Sequence, residues 1–466
     1  MINKKKTLGG HKPRFHPQKG TSNGLGVSSK SSHIQNSKHI LKKTVDAPAL
    51  NGNRKIEAEE RKSQSLPKNR AKTSENKTLD CETNTMRSLG DSKDSIRLTR
   101  DIDVIIDPEK INSNTSSMSA RLSHIDGMRA LAILFMVWVH IAAAFRPASP
   151  PSFTGLAISS IFGGLAAPLF ITVSGWGLHQ SARRRLAITD SPLLDISRWL
   201  APRIVLLLAC QIIINSLMAH VFATSTPGVL TLLILAAILA PFTAGLSPRF
   251  RAGLVLGFSL SPMLLGELAG PTWGWNERMA GVGLLGTIER LLWNGAYPAL
   301  PWLAFSLLGS LIADMSRNDR IKAIVALIPI GIMATIILRP EGGGLVATIG
   351  NASLTFFPAS AAFMLVAITT VLMIHLGLES IEGHRFWRSR LGESSIALGK
   401  LSLTVYILHF IPISLLHHYS GTMVISNIYL ALIIIIYTLL WLPTAALHSR
   451  FIPTLSLEVL LSRFEA

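Results

Sequence analysis

The stretch "DGMRALAILFMVWVH" sets a carboxylate, Asp126, and a guanidinium, Arg129, at one end of ten consecutive apolar residues and an imidazole, His140, at the other. These are groups that hold an anion and move a proton. A guanidinium offers planar donors that match phosphate and carboxylate, and Asp126, three residues earlier, can hold its fork in place. A neutral imidazole is the commonest general base near neutral pH. In a helix the eleven-residue step from Arg129 to His140 makes about three turns and rises roughly 16 Å, which puts both on one face with Ile133 and Met136 between them. The bland alternatives are an arginine that snorkels at a helix end and a histidine satisfied by one interhelical hydrogen bond. Ionisable groups in apolar surroundings are costly unless they face a partner or a polar cavity, and that favours the chemical reading.

The elements that position them are helices in lipid. Of 466 residues, 48% are hydrophobic and only 15% charged, a composition outside the soluble range. The fold class expected is all-α, a polytopic membrane protein of about ten transmembrane helices preceded by a disordered basic N-terminal tail. Residues 1–120 are rich in Lys, Ser, Asn and Thr, and cannot bury enough apolar surface to offset the entropy of ordering them. The tail is either a basic arm attracted to anionic lipid or a dispensable extension. Residues 121–466 form the membrane domain, with helices expected at 128–146, 155–178, 201–221, 228–243, 252–268, 298–314, 322–338, 354–377, 399–418 and 424–447.

The formal charge of +18 does not imply nucleic acid, because the basic residues fall in the tail and in short links between apolar runs. They alternate as the positive-inside rule requires. Arg183 to Arg185, Arg198, Arg203, Arg249, Arg251, Arg317, Arg320, Lys322, Arg385, Arg388, Arg390, Lys400, Arg450 and Arg463 all fall on one side, against Arg146, Arg278, Arg290 and Arg339 on the other. The expected arrangement is an integral, multi-pass protein with both termini cytoplasmic. Cys81 and Cys210 support neither a disulfide framework nor a metal cluster, and no metal motif is present, so no metal is expected.

Further polar groups interrupt the apolar runs. The second helix carries Gly163, Gly164, Ser174, Gly175 and Gly177, which suit either a polar-lined conduit or ordinary close packing. The outer link "PTWGWNERMAGVGLLGTIERLLWNGAYP" has Trp275, Glu277 and Asn294, a mixture suited to stacking on a sugar and hydrogen-bonding its hydroxyls, or to an interfacial belt. Tyr406 and His409, three apart on one helix, can line the same cavity as His140.

The stretch "IDGMRALAILFMVWVH", with Arg129 and His140 separated by ten residues, resembles the first-helix signature of the membrane acyltransferase-3 family. It also resembles the opening of the related heparan-alpha-glucosaminide N-acetyltransferase-like catalytic domain. "AAPLFITVSGWGL" (166–178) and "NGAYPALPWLAFSLLG" (294–309) are similar to segments of that second group, and "LGKLSLTVYILH" (398–409) to a late helix of both. Animal heparan enzymes carry asparagine at the position aligned with His140, so the catalytic role there follows the acyltransferase-3 pattern.

The resemblance implies a membrane-bound acyltransferase that moves an acyl group, acetyl above all, from cytoplasmic acetyl-CoA to a hydroxyl or amine of a glycan or glycolipid on the outer or lumenal face. Acetyl-CoA is then a donor substrate and the lipid bilayer the setting. The catalytic residues expected are His140, Arg129 and Asp126; Arg129, Arg203, Ser174 and Gly175 would meet the donor; Trp275, Glu277, Asn294, Tyr406 and His409 would meet the acceptor. The competing reading is a multi-pass transporter or flippase with Arg129 and His140 in a substrate or proton pathway. The absence of an evident internal repeat counts against it.

Overall fold

A computed structural model of the chain describes residues 122–149, 153–188, 192–280, 283–420 and 424–465. The expected tail, 1–120, lies outside the described residues. The fold is mostly helical. In chain order the principal helices are α1 (Ser123–Ala143), α2 (Phe153–Ile188), α3 (Pro192–Leu217), α4 (Val229–Ala244), α5 (Pro248–Leu260), α6 (Ala299–Asp314), α7 (Arg317–Ile337), α8 (Ala361–Ser380), α9 (Arg390–Lys400), α10 (Ser402–Leu408), α11 (Asn427–Phe451) and α12 (Leu457–Glu465). Among the described residues six helices are long and apolar enough to cross a membrane, or nine if each of three bent pairs makes one span. α4 is apolar but shorter.

The bends have local causes. Leu300, just before Pro301, has φ −99° and ψ 111°, the extended conformation that a following proline favours. There Gly283–Asn294 and Ala299–Asp314 meet at 57°. The expected helix at 354–377 begins late, at Ala361, because "ASLTFFP" forms a strand instead, Ala352–Phe357, paired in parallel with Gly344–Ile349. Ser360 then caps α8, its side chain accepting from the Phe363 N–H. The expected helix at 399–418 is broken, with Arg390–Lys400 and Ser402–Leu416 bent by 80°. Pairing like that of the 344–357 strands recurs on a small scale between Arg146–Pro147 and Val424–Ile425.

α1 and α2 run antiparallel. A Cβ on Gly163 would approach the Val139 side chain at 3.0 Å, and one on Gly177 would lie 3.7 Å from Nη2 of Arg129. Phe135 and Phe162 stack with ring centroids 4.6 Å apart, and Trp138 Nε1 donates to Ser159 Oγ at 3.4 Å. On its other side α2 meets α6 backbone to backbone. A Cβ on Gly175 would overlap the Ser306 carbonyl oxygen, and one on Gly309 would overlap the Thr172 carbonyl and the Trp176 N–H. Small residues permit such approach where lipid gives no hydrophobic drive between helices. By contrast α7 leaves Val325, Ile332, Ile336 and Ile337 exposed, as a lipid-facing helix should.

Gly309→Ala is therefore expected to destabilise the bundle by about 1–3 kcal/mol, the usual cost of overpacking. Gly253→Ala on α5, where a Cβ meets nothing within 4 Å, should leave stability unchanged or raise it. Melting temperatures of the two purified variants in detergent check the contrast, and equal melting temperatures would remove the close crossing as a constraint.

Candidate active site

The first helix presents its charged residues as the sequence leads one to expect, with added support from the far end of the chain. Asp126 is buried and its Oδ1 accepts from Arg129 Nη1 at 2.9 Å. Gly399 of α9 lies against the Asp126 carbonyl with no room for a side chain, and Gly127 packs on Trp387. The start of α1 is held by Glu382, just after α8: its carboxylate accepts from the Ser123 N–H at 3.1 Å, the His124 N–H at 2.7 Å and His124 Nδ1 at 2.7 Å. An acid there satisfies orphan donors and the positive end of the helix. Burial pushes the Glu382 carboxyl up, but these hydrogen bonds together outweigh it and hold the group below its ordinary value of 4.5.

At the other end of α1, His140 meets His409. Nδ1 of His140 and Nε2 of His409 are 2.8 Å apart, with the rings near parallel at 5.1 Å. Nδ1 of His409 lies 3.1 Å from the Val405 carbonyl, one helical turn back. Phe410 packs on both rings, at 4.6 Å and 4.2 Å, and Tyr437 OH donates to the His409 carbonyl at 2.7 Å. Tyr406 lies between Phe170 of α2 and His409, at 5.6 Å and 5.8 Å. The structure thus brings His140, Tyr406 and His409 together. Between Arg129 and His140, Ile133 and Met136 are buried, so that face is packed against protein and is not an open channel.

His409 is placed by a device that sequence reasoning missed. The chain breaks at Leu401, and the first N–H groups of α10 turn to Glu458 of α12. Leu403 N–H donates to its Oε1 at 2.6 Å and Thr404 N–H at 3.1 Å, while Thr404 Oγ1 donates to Oε2 at 2.6 Å and accepts from the Leu457 N–H at 2.9 Å. The short apolar and charged run "LEVLLSRFE" was the available signal for α12.

No hydrogen bond or ring contact among the described residues joins the other expected residues to the histidine pair. Arg203 is engaged by α12, with Nε and Nη2 donating to Glu465 Oε1 at 3.0 Å and 2.7 Å and its guanidinium 5.3 Å from the Trp199 ring. Ser174 Oγ donates back to the Phe170 carbonyl at 2.8 Å, and Gly175 serves the α2–α6 crossing. In the outer link Trp275 meets Phe357 edge-on at 5.1 Å and Glu277 is exposed. Asn294 is buried with its Oδ1 unpartnered among the described residues. Arg278, read only as a topology signal, is fully buried and ties this link together through the carbonyls of Ala269, Gly270 and Asn294. Burial, then the charge of Arg290, lowers it to about 10 against the opposing pull of Glu277, so it remains charged at neutral pH.

A second charged cluster was also missed. Asp314, at the end of α6, receives Arg183 Nη1 at 2.6 Å, His179 Nε2 at 3.1 Å and the buried Arg251. Arg251 also donates to the Ser310 carbonyl at 2.7 Å and the Leu246 carbonyl at 3.2 Å. A lone acid closing an apolar run opposite arginine-bearing links was its signal.

The profile of a family described as "Acyltransferase domain" matches residues 122–446, most of the chain and all of the elements just described except α12 and the end of α11. The chain belongs to the acyltransferase-3 family, one of the two related groups its first helix resembles. A search of curated proteins finds no significant match. The protein is therefore a multi-pass membrane protein of an acyltransferase family.

Because the Glu382 carboxyl is held below its ordinary value, the stability it lends is fully present above about pH 4.5 and is lost as pH falls through the folded value. Thermal unfolding in detergent from pH 7 to pH 3 should show this loss, and Glu382→Gln should melt lower at pH 7 and lose less on acidification. A variant with the wild-type pH profile would show that the carboxylate does not hold α1.

Proposed function

We propose that the protein transfers an acyl group, acetyl in this reading, from acyl-CoA at the Arg129 end of α1 to a hydroxyl or amine of a glycan or glycolipid reached from the His140 end. The observation that carries the reading is that one helix of an acyltransferase-family chain holds a carboxylate-braced arginine at one end and a histidine in a polar pair at the other. The distribution of basic links supports a cytoplasmic Arg129 end, with both termini cytoplasmic. That is the compartment of acyl-CoA.

In this mechanism Arg129, oriented by Asp126, meets the anionic or amide groups of the donor. His140 removes the proton from the acceptor hydroxyl or amine as that atom attacks the thioester carbonyl carbon. The carbon–sulfur bond breaks, and the departing thiolate of CoA takes the proton back from His140. Tyr406, beside His409 and Phe170, would bond an acceptor or carbonyl oxygen. Trp275, Glu277 and Asn294 remain the proposed contacts for a sugar. Arg203, Ser174 and Gly175 fit this scheme less well, because their groups are already engaged in packing or in the contact with α12.

Purified protein in detergent, given acetyl-CoA with and without candidate glycans, should release CoA in a glycan-dependent manner. Neither acyl transfer nor CoA release across such a panel is the transporter result and would overturn the reading. His140→Ala should lower turnover by about 10²–10⁴-fold, the range for a positioned base, with acetyl-CoA affinity little changed. Arg129→Lys keeps the charge but loses the fork, so it should weaken donor use, and Arg129→Ala should weaken it further. Unaltered donor kinetics in both would place the donor site elsewhere.

A further inference from the structure

The contact between His140 and His409 specifies where the protons sit. A neutral imidazole has one N–H and one lone pair. Nδ1 of His409 faces the Val405 carbonyl, which can only accept, so the His409 proton is on Nδ1 and its lone pair is on Nε2. That lone pair faces Nδ1 of His140. His140 must then donate from Nδ1, and its own lone pair is left on Nε2. The opposite assignment sets the lone pair of His409 Nδ1 against the Val405 oxygen. A charged His409 would need a carboxylate, and the rings are packed instead against Phe410 and Tyr406.

We propose that His409 is a positioning residue: through the chain Val405 carbonyl, His409, His140 it holds His140 in the Nδ1–H tautomer and makes Nε2 the atom that takes the acceptor's proton. This rests on the reading of His140 as general base, and it replaces the expectation that His409 touches the acceptor. During transfer the acceptor proton moves to Nε2 of His140 as the new bond to the acyl carbon forms and the carbon–sulfur bond breaks. Nδ1–H of the resulting imidazolium keeps donating to His409, which stays neutral, and Nε2 returns its proton to the CoA thiolate. Only one proton moves at each stage. Without His409 the ring is free to rotate or to carry its proton on Nε2, where it cannot act as base.

The test is ¹⁵N nuclear magnetic resonance of the full chain, labelled at histidine and reconstituted in lipid bilayers, with His140 assigned by the signals lost in His140→Gln. The expected wild-type signature is a protonated Nδ1 and a bare Nε2 on His140. His409→Phe should move His140 toward the other tautomer and lower acetyl-CoA turnover on the order of 10²-fold, the lower end of what a positioned base contributes, with KM for acetyl-CoA little changed. His409→Gln offers an amide oxygen to the same N–H and should restore part of both. A wild-type His140 protonated on Nε2, or a tautomer unmoved by His409→Phe, would overturn the proposal. If His409→Phe does not fold, the wild-type signature and His409→Gln decide it. Failure of the base reading looks different, because His140→Ala would then keep wild-type turnover whatever tautomer the unmodified protein shows.

Discussion

A helix end buried in a membrane bundle must find partners for backbone groups that its own ladder no longer serves, and Glu458 meets that requirement at the break after Leu401. Two N–H groups and the Thr404 hydroxyl converge on its carboxylate, and the positive end of α10 faces its negative charge. The direction in which α10 leaves the break sets where Tyr406 and His409 point, and so whether His409 meets His140. Residues near the C-terminus therefore govern a contact made by the first helix. The Arg203–Glu465 pair belongs to the same arrangement, because it holds α12 against α3 while Glu458 holds it against α10.

Charged residues in this bundle differ in how far they are withdrawn from the surface. Arg251 is 1% exposed and has all three guanidinium nitrogens in hydrogen bonds to protein acceptors. Arg278 is equally buried and holds three carbonyls. A guanidinium so engaged has little left to offer a ligand, and removing it would strand its partners. Arg129 differs: its side chain keeps 26% of its exposure while Asp126 fixes its orientation. That partial exposure is what the proposed role in donor binding draws on.

How much of this was legible follows from the range of the interactions. The Asp126–Arg129 pair, the shared face of His140 and the membrane character depend on spacing within one helix or on local composition, and the sequence displays both directly. That Tyr406 and His409 share a helix face was legible because a spacing of three is a local relation, whereas the meeting of His409 with His140, 269 residues away, is not encoded by spacing. The strand at Ala352–Phe357 was missed because its apolar content matches a helix, whereas its Thr, aromatic residues and terminal proline favour extended backbone. Glu458, Asp314 and Arg251 act across long separations in the chain, which a single sequence does not encode by spacing. For Ser174 and Gly175 a polar lining and close packing both stay open from sequence, because small and hydroxyl residues in a membrane helix serve either, and only the position of α6 separates the two uses.

The two seams of α2 differ in a way that bears on the proposed reaction. Toward α6 the contact is backbone on backbone at Gly175 and Gly309, which leaves no side chain to rearrange and fixes the pair as one unit. Toward α1 the contact is made of side chains, Phe135 on Phe162 and Trp138 on Ser159, with glycines at 163 and 177 opposite. Rotamer changes can open a side-chain seam without breaking the helices on either side. Donor and acceptor ends of α1 lie roughly 16 Å apart, and Ile133 and Met136 fill the face between them. In the proposed transfer, a donor held at Arg129 and reacting at His140 would have to part α1 from a neighbour. Of the two seams of α2, the one with α1 is the seam that the proposed transfer would part, because its contacts are side chains that can change rotamer while the α2–α6 crossing stays closed.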